Sequence, residues 1–189
     1  MVDDSIQLLL DEAEEHMEKT LEWLRHELHT IRAGRATPAM VDGVRVDYYG
    51  TQTPLNQMAS VNAPQHDLIV IQPWDRSALR DIEKAIQSAN LGLNPSNDGS
   101  LIRIPIPPLS EERRRDLVKA AKGRGEEAKV GIRNVRRNSK DEIKRVQEQE
   151  KLSEDMRYEA EDLLQKMTDE HIAKVDRLLE HKEAEIMEV

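Results

Sequence analysis

The sequence predicts an α+β protein: an elongated three-helix bundle carrying a small inserted α+β domain of β/α/β sandwich-like build, L-shaped overall. Three observations carry that expectation. All eight prolines fall between positions 38 and 108. Proline breaks a helix interior at about 3 kcal/mol, so 1–37 and 109–189 are free to form long helices and 38–108 is not. Outside that window apolar residues recur at steps of three or four, the period of one helix face. Charged residues make up 34% of the 189, aromatics only 3%, and Phe is absent. Long helices with much solvated surface suit this composition better than an aromatic-filled sandwich or barrel.

The first helix is expected over 5–31, with Ile6, Leu10, Ala13, Met17, Leu24, Leu28 and Ile31 on one face, Leu9 and Leu21 flanking, and Asp4 or Ser5 as N-cap. A second helix starts at Ser110, its Glu111-Glu112 suited to a helix N-terminus; its apolar line is Leu117, Ala121, Ala128, Ile132, Val135, Ile143 and Val146. A third starts at Ser153 and carries Met156, Ala160, Leu163, Met167, Val175, Leu178 and Ile186. The short break at Lys151-Leu152-Ser153 makes the second and third helices antiparallel neighbours. One hairpin cannot cover its own stripes, so the first helix completes the bundle and the chain is expected to be a monomer.

Between them, Val44, Val46 and Tyr48 alternate with polar residues as in a half-buried strand, and Ala59, Val61 and Ala63 suggest another. Leu68-Ile69-Val70-Ile71 reads as a central strand ending at Trp74. Asp75 caps a helix reaching about Asn90, with Leu79, Ile82 and Ile86 inward. Asn97-Asp98-Gly99 is a turn, and Ile102, Ile104 and Ile106 alternate out of the domain. The domains are then 1–31 with 106–189, and 32–105. They are joined through hinges near 33–36, at Gly34, and near 105–108, at Pro105, Pro107 and Pro108. Trp74 and Tyr49 read as packing residues, although an exposed Tyr can stack on a base.

The net charge of −9 conceals a pattern. Residues 1–31 sum to −7 and 147–189 to −8, whereas 106–146 sum to +6, so an acidic total does not exclude a nucleic-acid partner. Lys129, Arg133, Arg136, Arg137, Lys140 and Lys144 recur at steps of three or four, apart from one adjacent pair, and form a cationic face on the second helix. Arginine forks onto phosphate bidentately, which favours RNA. Arg32 and Arg35 extend the basic surface, or else serve as caps or ion-pair partners. The competing reading of the whole face is that its cations pair with the acids of the other two helices.

Enzyme signals are absent. With no Cys, thiolate metal sites and cysteine nucleophiles are excluded. His26-Glu27-Leu28-His29 has the wrong spacing for a zinc helix, and Glu22, His26 and His29 read as a solvated face. Gly123-Arg124-Gly125-Glu126-Glu127-Ala128 matches a dinucleotide fingerprint by letter only, because no strand precedes it. No phosphate-binding Walker loop occurs, and no cofactor is expected. No apolar run approaches the ~20 residues of a membrane helix. The start, Met1-Val2-Asp3-Asp4-Ser5, carries acid where a leader carries base, so a cytoplasmic location is expected.

Several blocks together resemble the ribosome recycling factor family. Ile31-Arg32-Ala33-Gly34-Arg35-Ala36-Thr37-Pro38 is similar to its first hinge, and Asp47-Tyr48-Tyr49-Gly50-Thr51-Gln52-Thr53-Pro54-Leu55 to its strand hairpin. Glu83-Lys84-Ala85-Ile86 with Leu91-Gly92-Leu93-Asn94-Pro95 resembles its helix and loop. Pro107-Pro108-Leu109-Ser110-Glu111-Glu112-Arg113-Arg114 resembles its second hinge, and Arg133-Asn134-Val135-Arg136-Arg137 its basic helix. The resemblance implies a factor that binds the post-termination bacterial ribosome in the intersubunit space. Its bundle would lie on large-subunit ribosomal RNA and its smaller domain would face elongation factor G. With GTP the pair splits the subunits, and the factor itself makes and breaks no bond. Two departures stand out: Lys129 where the family usually has Arg, and Gly131 where Ala is common. With Gly123 and Gly125, Gly131 either loosens the second helix or permits close approach of RNA or another helix. The alternative is a coiled-coil adaptor that docks a protein through its inserted domain.

Overall fold

The computed structural model describes residues 3–188; the outermost positions of the expected helical part, Met1, Val2 and Val189, lie outside the described residues. The chain divides into two units. One runs up to Ala33 and resumes at Glu111; the other is Gly34–Ser110.

The helical unit contains α1 (Asp4–Thr30), α3 (Glu111–Gln149) and α4 (Glu154–Met187), with every pair of the three in contact. Asp3, rather than Asp4 or Ser5, is the N-cap of α1, its carboxylate accepting from Ser5 N at 2.9 Å. Ser153 caps α4 by accepting from Met156 N. The α3–α4 turn is clasped by Gln147, whose side-chain amide donates to the Leu152 carbonyl at 2.8 Å. In α1 the buried face is Ile6, Leu10, Ala13, Met17, Leu21, Leu24 and Leu28, so Leu21 closes the gap in the expected line and lies in the seam rather than beside it.

α4 departs further from expectation. Its seam is Ala160, Leu164, Thr168, His171, Val175, Lys182 and Ile186, and Leu163 is exposed. Three polar residues therefore occupy seam positions. The Thr168 hydroxyl donates to the Leu164 carbonyl at 2.8 Å, one turn back on its own helix. His171 is 2% exposed, with Nδ1 2.7 Å from the Met167 carbonyl and Nε2 3.0 Å from Glu18 Oε1 on α1. Lys174 Nζ reaches the same oxygen at 3.1 Å. The Lys174 hydrogen bond, with help from His171, holds the Glu18 carboxyl below its usual range. A depressed carboxyl contributes stability above its unfolded pKa and loses it as pH falls through the folded one. The stability gap between the native chain and Glu18→Gln is therefore expected to be constant above about pH 5 and to close below it; urea melts at pH 7 and pH 3.5 check this.

Two of the α3 glycines mark close helix approach. A Cβ on Gly125 would lie 2.3 Å from Leu179 of α4, and one on Gly131 would lie 3.3 Å from Thr20 of α1, whereas Gly123 faces open space. Small residues at 125 and 131 let α4 and α1 pack against the α3 backbone.

The inserted unit holds two antiparallel sheets and α2 (Leu79–Ser88). β1 (Arg45–Tyr48) and β2 (Thr51–Pro54) form a hairpin. β3 (Ala59–Gln65), β4 (Leu68–Pro73), β5 (Ser96–Asn97) and β6 (Ile102–Pro105) form a sheet of order β3-β4-β6-β5, with a bulge between Asn62 and Gln65. A 3-10 turn, Arg76–Ala78, leads into α2, capped by Asp75. Ile69, Ile71, Ile82, Ile86, Ile102, Ile104, Val46 and Leu55 form the core.

Two aromatic residues contradict the packing expectation. Tyr49 is 82% exposed and Trp74 69%. Tyr49 and Gly50 form the hairpin turn at φ +50° and +79°, the left-handed pair that a two-residue turn requires. A non-glycine residue in that region costs about 1–2 kcal/mol, and the turn puts the phenol in water.

Candidate nucleic-acid interface

At 100° per residue, Arg133, Arg137, Lys140 and Lys144 share a sector of about 60° on α3, roughly a third of a turn from the buried seam. That sector borders α4, and the acids of α4 decide which cations stay open. Lys129 is only 17% exposed and pairs with Asp176 at 2.7 Å. Lys140 approaches Glu161 at 3.9 Å. Half-buried Arg136 donates to Gln165 Oε1 at 3.2 Å. Arg133, Arg137 and Lys144 are exposed and form no ion pair among the described residues; Arg137 donates to Asn134 Oδ1 of its own helix at 2.7 Å.

The ion-pair reading therefore holds for part of the stripe, and the rest of it stays open to solvent. Lys129 and Lys140 pair across to α4, with Lys129 the most enclosed, while an outer row of Arg133, Arg137 and Lys144 faces solvent. Exposed Lys119 and Lys122, the latter 3.9 Å from Glu183, fall in the same sector. Neither belongs to the expected stripe, although Lys122 stands seven residues, two full turns, before Lys129.

Arg32 and Arg35 fall in different units. Exposed Arg32 lies just past the end of α1 in the helical unit, whereas exposed Arg35 belongs to the inserted unit. Glu22, His26 and His29 do not converge into a metal-binding group; none of three or more His, Asp or Glu occurs among the described residues.

The expected hinge segments are fastened to the inserted unit. The Ala36 amide donates to the His66 carbonyl at 2.8 Å and the Ile106 amide to the Asp67 carbonyl at 2.7 Å, both at the β3–β4 turn. Ala36 and Ile106 lie in that unit's core. Pro105 ends β6, with Pro107 and Pro108 just beyond. The boundaries fall at Ala33/Gly34 and Ser110/Glu111, so 106–110 go with the inserted unit and not with the bundle, because Ile106 is buried there. Gly34 sits at φ +75°, and a Cβ there would lie 2.6 Å from Leu109 Cγ. Gly34→Ala is expected to cost about 1–3 kcal/mol within this unit, from left-handed strain and displaced Leu109. Hydrogen exchange at the Ala36 and Ile106 amides reads that loosening.

The family model described as Ribosome recycling factor matches residues 24–187. The chain belongs to the ribosome recycling factor family. The ribosome-recycling factor of Salinibacter ruber is 59% identical over 189 residues, all of both chains. That of Halothermothrix orenii is 52% identical over 177 residues, 94% of this chain and 96% of the relative. A solution structure of the ribosome recycling factor superposes with a TM-score of 0.72 at 43% identity, covering both chains fully. A second structure, at a TM-score of 0.60 and 49% identity, covers 99% of this chain and all of its own. It is described as models of the T. thermophilus ribosome recycling factor and the E. coli elongation factor G bound to the E. coli post-termination complex. Lys129 forms an interhelical ion pair with Asp176, which lysine satisfies as a point charge.

Proposed function

We propose that this chain binds the post-termination ribosome and, with elongation factor G and GTP, splits it into subunits for another round of initiation. Full-length identity of 59% to a ribosome-recycling factor carries the reading. The open row Arg133, Arg137 and Lys144 supplies the physical means of holding RNA. In this reading the row meets large-subunit ribosomal RNA in the intersubunit space, and inserted-unit residues meet elongation factor G. The chain makes and breaks no bond of its own and draws on its partner's GTP hydrolysis, as a monomer in the cytoplasm. Relative movement is then taken up at Ala33/Gly34 and Ser110/Glu111, because the segments inside those points are hydrogen-bonded to the inserted unit.

The test is cosedimentation with post-termination ribosomes across a salt series, with and without elongation factor G and GTP. Expected are binding that weakens steeply with salt and subunit release that requires both additions. A concentration-dependent dimer that ignores ribosomes would establish the adaptor reading instead.

A further inference from the structure

The inserted unit has an open cleft of about 610 Å³ at the start of α2. Arg76 and Arg80, four residues apart, both line it, and the side chain of neither forms an ion pair or hydrogen bond among the described residues. Two unpaired guanidiniums lining one cleft repel each other, and an anion between them relieves the repulsion. Across the cleft, Asn97 accepts from Gly99 N at 2.6 Å through Oδ1, which leaves its amide N–H groups for a ligand. Glu83 lines the same cleft and closes no ion pair with Arg80. The cleft thus presents three donor groups, two of them charged, and one acceptor.

The rim connects to the exposed aromatics. Asp75 accepts from Ser77 N and Oγ at 2.9 and 2.7 Å, beside Arg76, and from the Tyr48 hydroxyl at 2.9 Å. The Tyr49 ring stands edge-on to Tyr48, with centroids 4.5 Å apart. Trp74 immediately precedes Asp75. Three of the five aromatic residues in the chain are gathered here, and two of them have their faces in water.

We propose that the inserted unit holds a second RNA site, in which the Arg76–Arg80 cleft takes a backbone phosphate of a single-stranded segment while Trp74 and Tyr49 stack neighbouring bases. Single-stranded RNA offers what this surface lacks: an anion for the guanidiniums, flat π-faces for the rings, and 2′-hydroxyl or base-amine donors for Glu83. An acidic peptide matches only the first, and its carboxylates would face Glu83. The inference does not depend on how the bundle is used.

The test uses the full-length chain carrying Trp23→Phe, so that Trp74 is the only indole. A short single-stranded oligouridylate is expected to quench Trp74 fluorescence, and inorganic pyrophosphate to reverse the quench. The double substitution R76A/R80A, and separately Tyr49→Ala, are expected to weaken the apparent affinity about tenfold each, with circular dichroism unchanged. The signal arises from the inserted unit, so failure of the bundle's ribosome contact leaves it intact. A titration curve unmoved by R76A/R80A overturns the proposal. So does polyglutamate quenching as tightly as RNA, which would assign the surface to an acidic protein.

Discussion

Substituting the open row as R133A/R137A/K144A is expected to weaken ribosome binding at least about a hundredfold at low salt while leaving the melting curve almost in place. Each lost charge-assisted contact to phosphate is worth about 1.5–3 kcal/mol, and three neighbouring contacts need not add. The slope of log affinity against log salt should flatten by roughly 0.7–0.9 for each cation that meets a phosphate. Stability moves by no more than about 0.5 kcal/mol, because these side chains are exposed and break no ion pair when removed. Lys129→Ala is the internal control. Its side chain is 17% exposed and pairs with Asp176 at 2.7 Å, so its removal should lower stability more than that of any member of the open row and change the salt slope less. Pelleting over a potassium chloride series and urea melts on the same preparations separate the two effects. Several kcal/mol of lost stability with binding intact would mean that the whole row serves the bundle.

The bundle was legible because its signal is periodic. Apolar steps of three and four located all three long helices, and the proline window placed the insertion. What periodicity could not resolve was rotation about a helix axis. Leu163 and Leu164 are adjacent and equally apolar, and only packing against α1 and α3 puts Leu164 inside. Thr168, His171 and Lys182 look like solvated-face residues by type. They reach the seam because each finds a local partner there: a carbonyl one turn back for Thr168, Glu18 for His171, and Glu185 at 3.5 Å for Lys182.

The candidate interface was legible as a row of charge but not as two classes of charge. Which cations pair depends on where Asp176, Glu161 and Glu183 of α4 fall opposite α3, a relation between residues far apart in sequence. The inserted unit hid its surface for a different reason. Aromatic residues in so aromatic-poor a chain read as core, yet isoleucine, valine and leucine fill that core and leave Tyr49 and Trp74 outside. Arg76 and Arg80 drew no attention amid a segment of zero net charge. The fold brings them to a cleft with Asn97, which is distant in sequence.

Removal of the inserted unit is expected to separate holding the ribosome from splitting it. The bundle has its own core, from Ile6 through Ile132 to Ile186, so it can persist without Gly34–Ser110. The junction is favourable as well. Position 34 lies against Leu109, so the two connections run side by side, and a short glycine-serine linker can join Ala33 to Glu111 without straining α1 or α3. The shortened chain retains Arg133, Arg137 and Lys144 and should bind post-termination ribosomes within a few-fold of the native chain. It should release no subunits with elongation factor G and GTP, because the unit proposed to meet the partner is gone. Occupying the ribosome without splitting it, the shortened chain should also inhibit the intact factor in proportion to its concentration. Light scattering for subunit dissociation, beside pelleting for occupancy, reads both consequences. Full splitting activity would show that the bundle alone couples to the partner. Loss of binding together with splitting, from a bundle that melts normally, would show that the inserted unit contributes to affinity, as its Arg76–Arg80 cleft would if it grips ribosomal RNA.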